Sequence, residues 1–284
     1  MYRDCHGAGA PSFPVEPRNR PEVVDHYLTS PDGVNWTRKP GNLLFMIGAR
    51  RPEDADSTVD SLIAQFTSRP EVAANRDVMS RLADLRHKLY AVGYHLRTIL
   101  AEIEQRVSEF EENYRAGSGA HLEIENPRLV YETEAFLFQV KSALDILVQV
   151  VGRVVPPLSS MHSFRTANIA GEEQAGGAVI RALRLNGFPN LSDLLEANRS
   201  AWIQDLVDMR DTITHYSALR GFHCFIEEPY RGGNTVMIHY PTMPRGERVD
   251  AYCKRTYAAL MELVARLLAA CPAPLGGRAE TGAA

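Results

Sequence analysis

Close-spaced cysteines are missing from this chain. Its four thiols, Cys5, Cys224, Cys253 and Cys271, are scattered with no CxxC pair, which points to free thiols in a reducing cytoplasm and away from a disulfide framework. A basic excess is missing too. The formal net charge is −4 at pH 7, which argues against a protein that coats DNA through a basic surface, although locally basic sites remain open. The opening MYRDCHGAGAPSFPVEPRNRP lacks the apolar core that a secretory leader requires. The most apolar stretch, residues 135–155, is broken by Lys141, Asp145 and Arg153, so it reads as a buried helix and not as a membrane span. No internal repeat is present, and a propeller needs repeats.

What the chain does have is ample material for a core: 284 residues, 45% of them hydrophobic and 23% charged, as in ordinary soluble globular proteins. Residues 1–77 read as an N-terminal extension. It holds a proline-rich arm over 1–21, a possible small hairpin around the Pro31-Asp32-Gly33 turn, and a short apolar run, 43–47, that periodicity cannot assign. A helix is expected from Ser57 to about Phe66, with Pro70 interrupting the segment beyond it.

The body, residues 78–270, is dominated by helical periods. Leu82, Leu85, Leu89, Val92, Leu96, Ile99 and Ile103 recur three and four apart, a seam suited to another long helix. Asn126-Pro127 is a cap followed by proline at the first helical position, opening a helix over roughly 127–155 that is apolar nearly all round. Residues 157–174 show no convincing pattern, and a short helix comes next at about 176–185. The next helix, 190–216, buries Leu191, Leu195, Trp202, Leu206, Met209 and Ile213, with Asn190 as its expected N-cap. Two short strands flank the Gly-rich 230–234 loop as a hairpin, a last helix covers 247–270, and the tail 271–284 is expected to be disordered. The expected fold is mainly α: an antiparallel four-helix bundle with a small inserted β-hairpin and an irregular N-terminal extension.

Chemistry concentrates at the end of the 190–216 helix, in Arg210-Asp211-Thr212-Ile213-Thr214-His215. At about 100° per residue Arg210 falls within the apolar arc between Ile203 and Leu206, and a guanidinium there must find a partner or reach water. His215 lies roughly 140° away, one turn beyond Asp211. On the 127–155 helix, Glu134, Lys141 and Asp145 form a narrow polar stripe. Structural readings stand beside these: Arg210 paired with Glu134 or Asp145, His215 as a helix-end histidine favoured by the dipole and Asp211, and Lys141–Asp145 as an ordinary i,i+4 pair. His223, Cys224 and His239 lack the close-spaced ligand pairs of structural zinc sites, so no metal and no cofactor are expected.

The run from Arg210 to His215 resembles the signature of the HEPN superfamily, in which an arginine, a polar neighbour and a histidine sit at the end of a bundle helix. Tyr131-Glu132-Thr133-Glu134-Ala135-Phe136-Leu137 through Asp145 is similar to the acid-bearing apolar helix of such bundles, and the resemblance spans roughly residues 78–270. It implies a metal-independent endoribonuclease of a toxin or antiviral defence system, working as a homodimer whose two motifs face one cleft. RNA would be the substrate, and an antitoxin or other protein a possible partner. Catalysis through Arg210, Asp211 and His215 would follow: histidine moves a proton near neutral pH, and a guanidinium stabilises the developing phosphorane. Other members have lost activity and serve as binding modules, which leaves an inactive interaction module as the alternative. A nucleotide-binding or nucleotide-modifying regulator has no separate motif.

Overall fold

The fold follows from where the apolar periods are placed. A computed structural model describes residues 57–115, 122–124, 126–169, 171–215, 219–227 and 235–272. The expected proline-rich arm, the first hairpin, the 43–47 run, the Gly-rich loop at 230–234 and most of the C-terminal tail lie outside the described residues. All described elements fall in one compact unit, Arg51–Ala284.

The protein is mainly helical, with two small antiparallel sheets. The helices are α1 (Ser57–Thr67), α2 (Pro70–Ala73), α3 (Arg76–Arg115), α4 (Pro127–Gly152), α5 (Gly177–Leu185), α6 (Pro189–Asn198), α7 (Gln204–His215) and α8 (Val249–Ala270). The strands are β1 (Leu122–Ile124), β2 (Ala167–Ile169), β3 (Glu172–Gln174), β4 (Phe222–Glu227) and β5 (Thr235–His239). One sheet runs in the order β1-β4-β5 and the other pairs β2 with β3. The hairpin read from sequence is therefore joined by a third strand, which pairs Leu122 with Cys224 and Ile124 with Phe222.

The longest element, α3, has 40 residues and is about 60 Å long at 1.5 Å per residue. Asn75 starts it by accepting hydrogen bonds from the Asp77 and Val78 amides at 3.1 and 3.2 Å. Its sequence-predicted seam is buried from Leu82 to Ile103 and packs along α4. Polar pairs spaced by a heptad along α3 set the register of these two helices. Lys88 donates to Gln139 at 3.2 Å, His95 meets Glu132 at 2.7 Å, and Glu102 meets Arg128 at 2.8 Å. The α3 numbers rise by seven while the α4 numbers fall, which fixes an antiparallel pair.

Asn126 caps α4 as the sequence implied, accepting from the Leu129 amide at 3.1 Å. By length and composition α4 could cross a membrane, but 56% of its most apolar stretch is buried inside the protein. It packs against α3, α7 and α8.

Several expectations are corrected. The 157–174 connection is not featureless: it carries a 3₁₀ turn, Pro156–Leu158, and the β2–β3 hairpin. Its anchor is Phe164, 1% exposed, a single aromatic that has no period to reveal it. The 190–216 helix is not uniform. It opens at Pro189, so Asn190 lies inside the first turn, and a π-helical turn, Arg199–Ile203, separates α6 from α7. Pro70 begins α2 as its first residue, where its missing N–H costs nothing.

The expected boundaries at 77/78 and 270/271 fall inside the packed body. Val59, Phe66 and Val72 share the core with α3 and α8, and Cys271 is 4% exposed. Arg69 ties these ends together by donating to the Cys271 and Ala269 carbonyls, each at 3.1 Å.

Candidate functional site

The end of α7 is held by three apolar anchors, Leu206, Met209 and Ile213, all buried. Arg210 and Asp211 are half-buried and His215 is exposed. The Arg210 side chain retains 24% of its exposure and that of Asp211 49%, so the guanidinium lies at the edge of the core and reaches water. It donates through Nε at 2.9 Å and Nη2 at 2.6 Å, both to Oδ1 of Asp211. Neither Glu134 nor Asp145 pairs with it, so that structural alternative is replaced by a bond to the adjacent residue.

α7 is regular α-helix through His215. Five residues of such a helix separate Arg210 from His215 by about 140° around the axis and about 7.5 Å along it. The two side chains therefore leave different sectors of the helix. His215 shares its sector with Asp208, Asp211 and Thr212. Asp208 and Asp205 are held by Arg245, with an Arg245 Nη2 to Asp208 Oδ2 separation of 3.3 Å. Thr212 is bonded back to the Asp208 carbonyl at 2.7 Å. Among the described residues, the sector of α7 that His215 shares is thus mixed in charge.

The stripe on α4 does other work. Lys141 Nζ donates to Asp145 Oδ1 at 2.6 Å, and the same oxygen accepts from the Phe164 amide at 2.7 Å. One turn on, Gln149 donates to the His162 carbonyl at 2.8 Å. Asp145 and Gln149 thereby pin the 159–166 segment onto α4. Glu134 is half-buried and makes no hydrogen bond or ion pair among the described residues.

Two polar constellations escaped the sequence reading. His95 and Glu132 form a half-buried imidazole–carboxylate pair between α3 and α4, with the Tyr94 ring edge-on to His95 at 5.3 Å. The spacing of 37 residues hid it, because only the antiparallel register brings the two together. Arg181, Arg184 and Arg199 line one recess. The i,i+3 spacing of the first two was a visible signal.

The thiols are chemically quiet where they are described. Burial pushes the Cys271 thiol up to about 12 and Cys253 higher still, which leaves neither as a nucleophile at neutral pH. The Tyr252 hydroxyl is buried, and burial raises its pKa so that it stays neutral. Among the described residues no group of three or more His, Cys, Asp or Glu side chains is gathered as for a metal ion.

Compared with protein-family models, with curated proteins and with solved structures, the chain matches none of them.

Proposed function

We propose that this chain is a HEPN-like endoribonuclease, an antiparallel four-helix bundle of α3, α4, α6–α7 and α8 that acts as a homodimer in the cytoplasm. The observation that carries the reading is the position of its motif: Arg210 and Asp211 at the edge of the core, and His215 exposed at the last turn of a helix whose other face is buried. A helix end is where a side chain can meet a substrate while its backbone is held rigid.

The reaction requires a proton to leave the ribose 2′-hydroxyl as that oxygen attacks the phosphorus, and a proton to reach the departing 5′-oxygen. The products are a 2′,3′-cyclic phosphate and a free 5′-hydroxyl. His215 is the group suited to moving these protons, and Arg210 the group suited to the phosphorane charge. The chemistry needs no metal. Because 140° separates the two directions on one helix, we assign Arg210 of one protomer and His215 of the partner subunit to the same cleft.

A specific observation favours a second reading, an inactive helical module that binds another protein. Arg210 already gives two donors to Asp211, and a phosphate would have to compete for them.

One experiment separates the readings. Purified protein is incubated with mixed RNAs in EDTA, beside Arg210→Ala and His215→Ala. Cleavage to cyclic phosphate ends by the parent alone is expected, with a loss of at least about 100-fold in each variant. An equal mixture of the two variants, unfolded and refolded together, should recover part of the activity, because a mixed dimer keeps one intact composite cleft. Equal cutting by all three proteins removes these residues from the reaction. No cutting by a folded parent leaves the binding module.

A further inference from the structure

We propose that the recess between α5 and the π-helical turn binds a phosphate monoester of nucleotide size through Arg181, Arg184 and Arg199. The inference is independent of the Arg210–His215 reading and concerns a different part of the molecule.

The recess follows from the pattern of α5. Val179 and Leu183 are buried in the core, which turns residues 177, 181, 184 and 185 toward the opposite side, spaced as one helix face. That face looks across to Glu196 on α6 and Arg199, the first residue of the π-helical turn. Between them is an open recess of about 360 Å³, within the range of roughly 300–1,000 Å³ typical of small-ligand pockets. π-helical turns are rare and are frequently found at functional sites.

Its charge is unusual for this chain. Three guanidiniums against the single carboxylate of Glu196 leave +2 among the lining residues, in a protein whose formal net charge is −4. Arg199 is held in place, donating through Nη2 and, at 3.3 Å, through Nε to the two oxygens of Glu196. That bond also holds the Glu196 carboxyl below its ordinary pKa, so the partner stays ionised. Arg181 makes no hydrogen bond or ion pair among the described residues. Arg184 has a long contact, 3.6 Å, to Asp193, whose side chain is 71% exposed, and a charge attraction to Glu196 weaker than that of Arg199; water screens such exposed pairs heavily. Two guanidiniums with little to hold them face the same space, and like charges so gathered repel unless an anion lies between them.

The first turn of α5 adds to this. Gly177 lines the recess; the N-cap, Gly176, takes the Val179 and Ile180 amides on its carbonyl and has no side chain for the Gly177 and Ala178 amides. Those amides carry the positive end of the helix dipole. The walls are not wholly polar: Ile180 forms part of the floor, and Leu185, 73% exposed, forms a rim. A dianionic phosphate matches the net +2, and an attached flat or apolar group matches Leu185. A nucleoside monophosphate has both parts.

The test uses the full chain and calorimetric titration with AMP, with inorganic phosphate and with a short single-stranded RNA lacking a terminal phosphate. AMP is expected to bind, tighter than inorganic phosphate, and to weaken as salt rises. Arg181→Gln and Arg184→Gln should each weaken AMP binding roughly tenfold, the effect of one charge-assisted hydrogen bond. Both residues are exposed, so the variants should keep the parent's thermal transition. Leu185→Ser should weaken AMP and leave inorganic phosphate unchanged. Phosphate bound as tightly as AMP overturns the nucleotide-sized ligand. Binding of the RNA alone overturns it in favour of a nucleic-acid surface. Absence of all binding at millimolar ligand, or AMP binding unaltered in both arginine variants, overturns the site itself. None of these outcomes depends on RNA cleavage.

Discussion

Asp145 shows how a side chain chosen for one reason can be held for another. In sequence it belongs to a polar stripe on a very apolar helix, which marks it as an accessory to chemistry. In the structure one of its oxygens takes both the Lys141 ammonium and the Phe164 amide, so it closes a loop over the core. Asp145→Ala leaves that amide without its acceptor and should cost about 1–3 kcal/mol. Hydrogen exchange at the Phe164 amide should speed up by at least as much as at the α4 amides. Unchanged protection at Phe164 would show that the loop is held by its aromatic ring alone. Arg210 was legible as a residue needing a partner, because its angle on the helix sets its burial. Which partner it takes was not legible, because Asp211, Glu134 and Asp145 are equally charged and only the packed geometry ranks their distances.

At the scale of elements, the apolar periods and the Asn126 cap were readable, while the Asn190 cap and the interruptions were not. Asn126-Pro127 encodes its own helix start through one oxygen and one ring. The π-helical turn at Arg199–Ile203 inserts a wider turn without leaving a polar gap, since Trp202 and Ile203 are both buried through it, and no propensity marks it. The entry to α5 is the converse case, where one residue is required by geometry. Gly176 has φ +68°, and a Cβ there would lie 2.0 Å from the Phe164 ring. Gly176→Ala should therefore lose about 2–4 kcal/mol from left-handed strain and overpacking together, read as a lower midpoint in urea. A variant as stable as the parent would mean that Phe164 has room to move, and the account of the loop anchored by its ring would fall with it.

For the whole molecule, the decisive feature is how far the core extends. Phe66 is 3% exposed in the same core as α3 and α8, and the Arg69 guanidinium lies 5.2 Å from its ring while reaching the last carbonyls of the helical body. If residues 57–77 were a separate extension, Phe66→Ala would leave the main unfolding transition where it is. The structure instead gives an expected loss of about 3–5 kcal/mol, carried by a single cooperative transition followed by circular dichroism. A second, earlier transition with an unmoved main one would restore the boundary at 77/78.

Local chemistry determined a good deal by itself. The apolar repeats along α3, α4, α7 and α8, the Asn126 cap and the β4–β5 hairpin each depend on residues within a few positions of one another, so their cause is written in order along the chain. The partners of polar groups were decided only by tertiary structure: His95 with Glu132, Asp145 with the Phe164 amide, Arg69 with Cys271, and three arginines around one recess. Beyond its i,i+3 and i,i+4 neighbours on one helix, a charged side chain has no partner that the sequence names. What it meets across the fold is set by how the apolar faces pack and by the register they impose, and in this protein those meetings define the arginine recess and the His95–Glu132 pair.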